Sequence, residues 1–254
     1  MFSQSNGHVP AVEKAFRLLE LLSSTREPMG VSEIARRLGL GKSTIHGLVR
    51  TLQHFGAVET ADGTKRYRIG RGLAALAARS AGRIDLRDAA RSSLERLAAQ
   101  TEQTSFLGVV GADHVTILDL VHGRPAMSVS APVGSSIPLL AGAVGKAVLS
   151  AWEPARRDQF LRTTRLPRFT AHTIVDPEAY ARAVEDATAR GAALDVDEYV
   201  DGMRAAAAPV FGSRNQLAGV IWVAGFARHI DDASLGAIAD AVAGEARSIG
   251  HALV

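Results

Sequence analysis

The sequence predicts an α+β fold: a small three-helix head ending in a winged hairpin, a linker helix, and a larger domain whose antiparallel sheet is flanked by helices. Three observations carry this reading. Two short apolar stripes of helical period, Val31/Ile34/Ala35/Leu38 and Ile45/Leu48/Val49/Leu52, are separated by Gly39-Leu40-Gly41. Asp62-Gly63 stands between two short strand-like runs, a hairpin signal. From Gln103 onward strands, helices, further strands and a last helix succeed one another.

Residues 1–8 are polar and read as disordered. Between 9 and 24, Val12, Phe16, Leu19 and Leu22 mark a first helix, with Ala15 and Leu18 widening its buried face. Residues 25–30, with Pro28 and Gly30, read as a turn, and Ser32 as a cap for the next helix. Glycine then supplies the positive-φ break between the second and third helices. The third helix carries Lys42, Ser43, Thr44, His46, Arg50, Gln53 and His54 on its polar face. Two short helices across a tight glycine turn, the second basic at its start, make a helix-turn-helix. Residues 57–60 and 65–69 form the wing, where Lys65, Arg66 and Arg68 suit phosphate contacts. The head thus spans 9–70.

Residues 71–84 form the linker, alanine-rich and helical, with Leu73, Leu76, Ala77 and Ser80 on one side. Such a stripe suits packing on a second copy as well as packing back on its own domain. The third segment, 85–254, opens with a helix over 85–101. Strands are predicted at 104–110, 114–121 and 127–130, and helices at 141–152, 154–164 and 176–191. Strands at 206–211 and 218–226, joined by a turn, precede a helix from Asp231 to the end.

Charge is unevenly spread. Residues 1–70 hold ten Lys/Arg against six Asp/Glu, hence +4; residues 71–254 hold nineteen against twenty, hence −1. A basic head on a near-neutral body suits a polyanion reader. With no cysteine in the chain, thiolate metal sites, disulfides and a cysteine nucleophile are excluded. No run of eighteen apolar residues and no signal-peptide pattern occurs, so a soluble cytoplasmic protein without membrane partners is expected. Gly41-Lys42-Ser43 mimics the end of a phosphate-binding loop, but Arg36 replaces the glycine that motif requires. No G-x-S-x-G or H-E-x-x-H occurs, and no cofactor, catalytic residue or metal site is predicted. Two alternatives stay open here. One is an enzyme on the C-terminal domain, with Asp113, His114, Asp119 and His122 as a metal cluster; the other is a ligand-independent architectural DNA-binding protein.

VEKAFRLLELL, SEIARRLGLGKSTIHGLVRTL, KRYRIG, APVGSSIPL, GKAVLSAW, GMRAAAAPV and LAGVIWVAG, in this order, resemble the IclR family of bacterial transcriptional regulators over nearly the whole chain. The resemblance implies a GAF-like effector domain and a regulator of a palindromic double-stranded operator, acting as a homodimer or dimer of dimers. In the head, Ser43, Thr44 and His46 are the base-edge candidates, with Lys42 and Arg50 on phosphate. One departure is Gly47, where the family often carries a large polar side chain.

Relatives of this family bind small carboxylates through backbone amides and short polar side chains. The matching amide loop here is Gly142-Ala143-Val144, and the matching acidic position is Asp195. Ala205 stands where a cysteine is common, and Trp222 and Ala224 where serines are common. Met127, Val129 and Ile137 are predicted to line the remainder. Such a pocket loses donors for an oxo-acid and gains an aromatic wall. An aromatic, carboxylate-like effector and a repressor of a catabolic operon are therefore expected.

Overall fold

The computed structural model describes residues 9–25, 27–61, 64–80, 86–123 and 128–253. The lead-in 1–8, the Asp62-Gly63 tip, linker positions 81–84 and Met127 thus lie outside the described residues. The chain divides into two compact units, residues 1–83 and 84–254.

The first unit holds α1 (Pro10–Ser23), β1 (Met29–Gly30), α2 (Val31–Leu38), α3 (Lys42–His54), β2 (Val58–Thr60), β3 (Arg66–Ile69) and α4 (Arg71–Ser80). Leu18, Leu22, Met29, Ile34, Ala35, Ile45, Val49 and Val58 form its core. Gly39, at φ 67°, closes α2 in the left-handed conformation that glycine tolerates. Three details depart from the sequence reading. Met29 and Gly30 pair with Tyr67 and Arg66, so the wing is three-stranded in the order β1-β3-β2. Ser32 lies inside α2, whose N-cap is Gly30 and which has no side-chain cap. Val12 and Phe16 remain 52% and 62% exposed, and α1 enters the core further along, through Leu18 and Leu22 with Leu19 and Leu21 packed beside them.

The wing and α4 meet through glycines. The Gly72 amide donates to the Gly56 carbonyl at 2.8 Å. A Cβ on Gly70 would stand 2.3 Å from that carbonyl oxygen, and one on Gly72 2.6 Å from it. Only backbone without a side chain fits this crossing.

The second unit holds α5 (Leu86–Thr101), β4 (Thr104–Val110), β5 (His114–Val121), β6 (Ser136–Pro138), α6 (Gly142–Ser150), α7 (Pro154–Thr163), α8 (Pro177–Arg190), β7 (Ala193–Val196), β8 (Met203–Phe211), β9 (Leu217–Phe226) and α9 (Asp232–Ala252). Its strands form one six-stranded sheet, order β6-β5-β4-β9-β8-β7, with every pair antiparallel. Alternation along the strands separates two cores. Leu107, Ala206, Ala208, Ile221 and Val223 face α5 and α9. Phe106, Ala207, Val220, Trp222 and Ala224 belong to the core that contains α6 and α8. Asp176 caps α8 by accepting from the Ala179 amide at 2.8 Å, and Gly191 ends it at φ 80°.

The strand predicted at 127–130 is corrected: residues 128–130 are loop, and the edge strand is β6. Pro138 is accommodated there because an edge strand has one unpaired side. Strand β7, too short to give a period, went unpredicted. Among the described residues no helix is long and apolar enough to cross a membrane.

Candidate DNA-reading face and effector cavity

In the head, Ile45 and Val49 bury one side of α3, and Lys42, Ser43, Thr44, His46 and Arg50 project from the exposed side. Gly41 caps α3 without a side-chain bond, and the Ile45 amide is the first to return, to the Gly41 carbonyl at 3.1 Å. The preceding amides of the first turn are left for an anion, the usual property of a helix N-terminus. A Cβ on Gly47 would meet nothing within 4 Å, so this position is a gap in the reading face rather than a packing requirement.

The basic residues divide into two groups. Arg66 donates to the Pro28 carbonyl at 2.6 Å and lies 3.6 Å from Glu33; Arg68 pairs with Glu59 at 2.8 Å. The Arg68 hydrogen bond holds the Glu59 carboxyl below its usual range. Lys42, Arg50 and Lys65 form no ion pair among the described residues.

On the sheet face beneath α6 lies a cavity of about 280 Å³. Cross-strand register builds it. Asp195, Ala205 and Ala224 are consecutive neighbours across β7, β8 and β9, and Ala207, Trp222 and Phe106 form the next row. Trp222 stacks on Phe106 at 5.1 Å and 7°. Beside this aromatic wall the two alanines leave a trough. Val129, Ile137, Ala143, Val144, Asp195, Ala205, Trp222 and Ala224, all singled out from sequence, line the cavity. Phe106, Ile117, Tyr199 and Met203 line it as well and were not anticipated. Phe106 and Ile117 fall in predicted strands, but only the cross-strand register shows that they face an opening; Tyr199 and Met203 fall outside the predicted strands.

Gly142 stands just behind the lining. At φ 45° it starts α6, and a Cβ there would lie 1.8 Å from Asp195 Oδ2. No side chain caps α6, and its first returning bond runs from the Gly145 amide to the Ala141 carbonyl. The amides of residues 142–144 therefore have no partner within the helix. Asp195 Oδ1 accepts from the Glu198 amide at 2.7 Å. Burial is the main reason the Asp195 carboxyl is pushed up to about 6; backbone hydrogen bonds from Glu198 and Tyr199 and the charge of Lys146 act against it.

A buried ion pair between Lys146 and Glu198, unforeseen from sequence, backs this corner. Thr170 and Thr173 donate to the Asp197 and Glu198 carbonyls, each at 2.6 Å, and Phe169 meets Tyr199 edge-on at 5.0 Å. The loop before α8 thus clamps the turn that follows Asp195.

The four residues weighed as a metal cluster do not converge. Asp119 is buried and accepts from Arg87 at 3.2 Å and Arg91 at 3.5 Å, while His114 bonds Asp113 at 2.7 Å. Among the described residues no group of three or more histidines and carboxylates is placed to hold an ion.

Residues 11–62 match the model of the IclR helix-turn-helix domain, and residues 78–251 that of the C-terminal domain of the bacterial transcriptional regulator IclR. The chain is 32% identical to the regulator BhcR of Paracoccus denitrificans, covering 97% of this chain and 88% of that protein. It is 33% identical to the glycerol operon regulatory protein of Streptomyces coelicolor, over 86% and 85% of the two chains. Its fold is shared by an IclR homolog of Microbacterium hydrocarbonoxydans crystallised with 4-hydroxybenzoate, at a TM-score of 0.77, 23% identity, and coverage of 96% and 98%. With both domain models matched in order on a winged head and a helix-flanked antiparallel sheet, the chain belongs to the IclR family of bacterial transcriptional regulators.

Proposed function

We propose that this regulator is a repressor of a catabolic operon, released from a palindromic operator when a small aromatic carboxylate enters the cavity. The Trp222–Phe106 wall beside the Ala205/Ala224 trough carries the effector class, with the α6 amides at the far end for the carboxylate. A flat ring fits the wall; besides those amides, the side-chain donors of the lining are Ser130, Tyr199 and Arg204. On the DNA side, Ser43, Thr44 and His46 take base edges, while Lys42, Arg50 and the wing take phosphates. A homodimer or dimer of dimers would present two such heads to a palindrome. The Streptomyces relative, named for the operon it regulates, is consistent with control of catabolic genes.

Release requires that the effector bind the two conformations of the protein with different affinity, and the 71–84 linker is the segment through which that difference reaches the head. Calorimetry with benzoate, pyruvate and a neutral sugar, each paired with operator binding, tests the reading. Benzoate is expected to bind and to weaken the operator complex. Binding of pyruvate-like acids alone would defeat the aromatic assignment, and equal grip on promoter and random fragments would defeat the repressor. Trp222→Leu is expected to weaken benzoate about tenfold, the worth of a stacked aromatic contact, with little change for non-aromatic acids. Equal losses for both classes in titration would argue against the wall.

A further inference from the structure

We infer that Asp195 and the carboxylate of the effector share one proton, so that the cavity takes up a proton with each aromatic acid it binds. The inference rests on the aromatic-acid reading above. Its basis is geometric. Asp195 Oδ2 lies 1.8 Å from where a Gly142 Cβ would stand, against the first residue of α6. The unpartnered amides of that same turn are the ones assigned to the effector. A carboxylate seated on them therefore comes within hydrogen-bond reach of Oδ2. Two ionised carboxylates at such separation repel strongly, and one proton between them removes the conflict.

Among the described residues no cation forms an ion pair with Asp195. Lys146, from α6, is committed to Glu198, is 4% exposed and does not line the cavity. Glu198, in the turn after β7, adds charge of the same sign. Tyr180 from α8 is held neutral: burial, with the charges of Glu198 and Asp195, drives its phenol upward, and its hydroxyl has no partner. Tyr199 is likewise raised by burial. Arg204, on β8, does line the cavity; its Nη1 donates to the Ile230 carbonyl at 3.0 Å and to Asp232 at 2.6 Å, its buried Nε has no partner, and it forms no ion pair with Asp195 among the described residues.

The balance is simple. One effector carboxylate and one solvent proton enter; Oδ1 keeps the Glu198 amide, and the proton lies between Oδ2 and an effector oxygen. The pair carries one negative charge, which the α6 amides face. Acidification then raises the regulator's sensitivity at constant effector concentration.

The test is calorimetry of benzoate on the full chain in buffers of different ionisation heat, near neutral pH and across a pH series, with benzamide as the uncharged analogue. About one proton taken up per benzoate is expected, with affinity falling about tenfold per pH unit above the Asp195 titration. Benzamide should bind without proton uptake and with a flat profile. Asp195→Asn should abolish the uptake and flatten the benzoate profile, and the benzoate–benzamide contrast in the native chain decides the matter even if that variant fails to fold. Benzoate binding with no proton exchange overturns the shared proton and leaves the effector reading intact. Failure of both compounds to bind removes the effector reading and the inference with it.

Discussion

Replacing Lys42 and Arg50 together by alanine is expected to weaken operator binding by about a hundredfold at low salt, and to lower the slope of log affinity against log salt by about two. Both side chains are exposed on α3 and neither is held in an ion pair among the described residues, so both are available to phosphates. Each phosphate contact releases close to one counterion, which is why the slope counts contacts. Random DNA should lose as much as operator, since backbone contacts carry no sequence. Thr44→Ala and His46→Ala should behave differently, eroding the preference for operator while leaving the slope nearly unchanged. Arg68→Ala should cost less than Lys65→Ala, because Arg68 must leave Glu59 before it can serve a phosphate. Fluorescence anisotropy over a salt series measures all of these; an unchanged slope in the Lys42/Arg50 variant would show that α3 does not lie along the backbone as proposed.

Gly142→Ala is expected to leave operator affinity at the native value and to weaken benzoate by at least about a hundredfold. Two costs add at this position. Its φ of 45° is disfavoured for a residue with a side chain by about 1–2 kcal/mol. The new methyl group would also stand 1.8 Å from Asp195 Oδ2, so either the carboxyl or the first turn of α6 must move. Either movement separates the amides from the acid that the effector is proposed to bridge. The unit should remain folded, because Ala143, Val144, Ala147, Val148 and Leu149 keep α6 anchored in the core beyond its first residue. Ligand titration followed by operator binding reads both quantities. Native induction by benzoate in this variant would place the effector elsewhere.

Much of the fold was legible because its signals are local. The stripes of α2 and α3, the glycine between them and the order of strands and helices in the second unit each follow from spacing within a few residues. The misses have the opposite character. Met29 and Gly30 become a strand only because β3 offers them an edge, and Ser136–Pro138 replaces the predicted 127–130 strand because His114–Thr116 lie open to it. Nothing within either segment states that pairing. At the cavity, the residues taken from family motifs gather around one opening, whereas Phe106 and Met203 required cross-strand register to be found. The Lys146–Glu198 pair joins residues far apart in sequence and had no local signature; a lysine between small residues on α6 was the one available hint.

The glycine crossing of Gly56, Gly70 and Gly72 bears on how chimeric sensors should be cut. A graft that joins a foreign body at Gly70 severs the bond from the Gly72 amide and brings a side chain to a place with room for none. The seam belongs beyond Ser80, so that α4 travels with the reader it is fastened to.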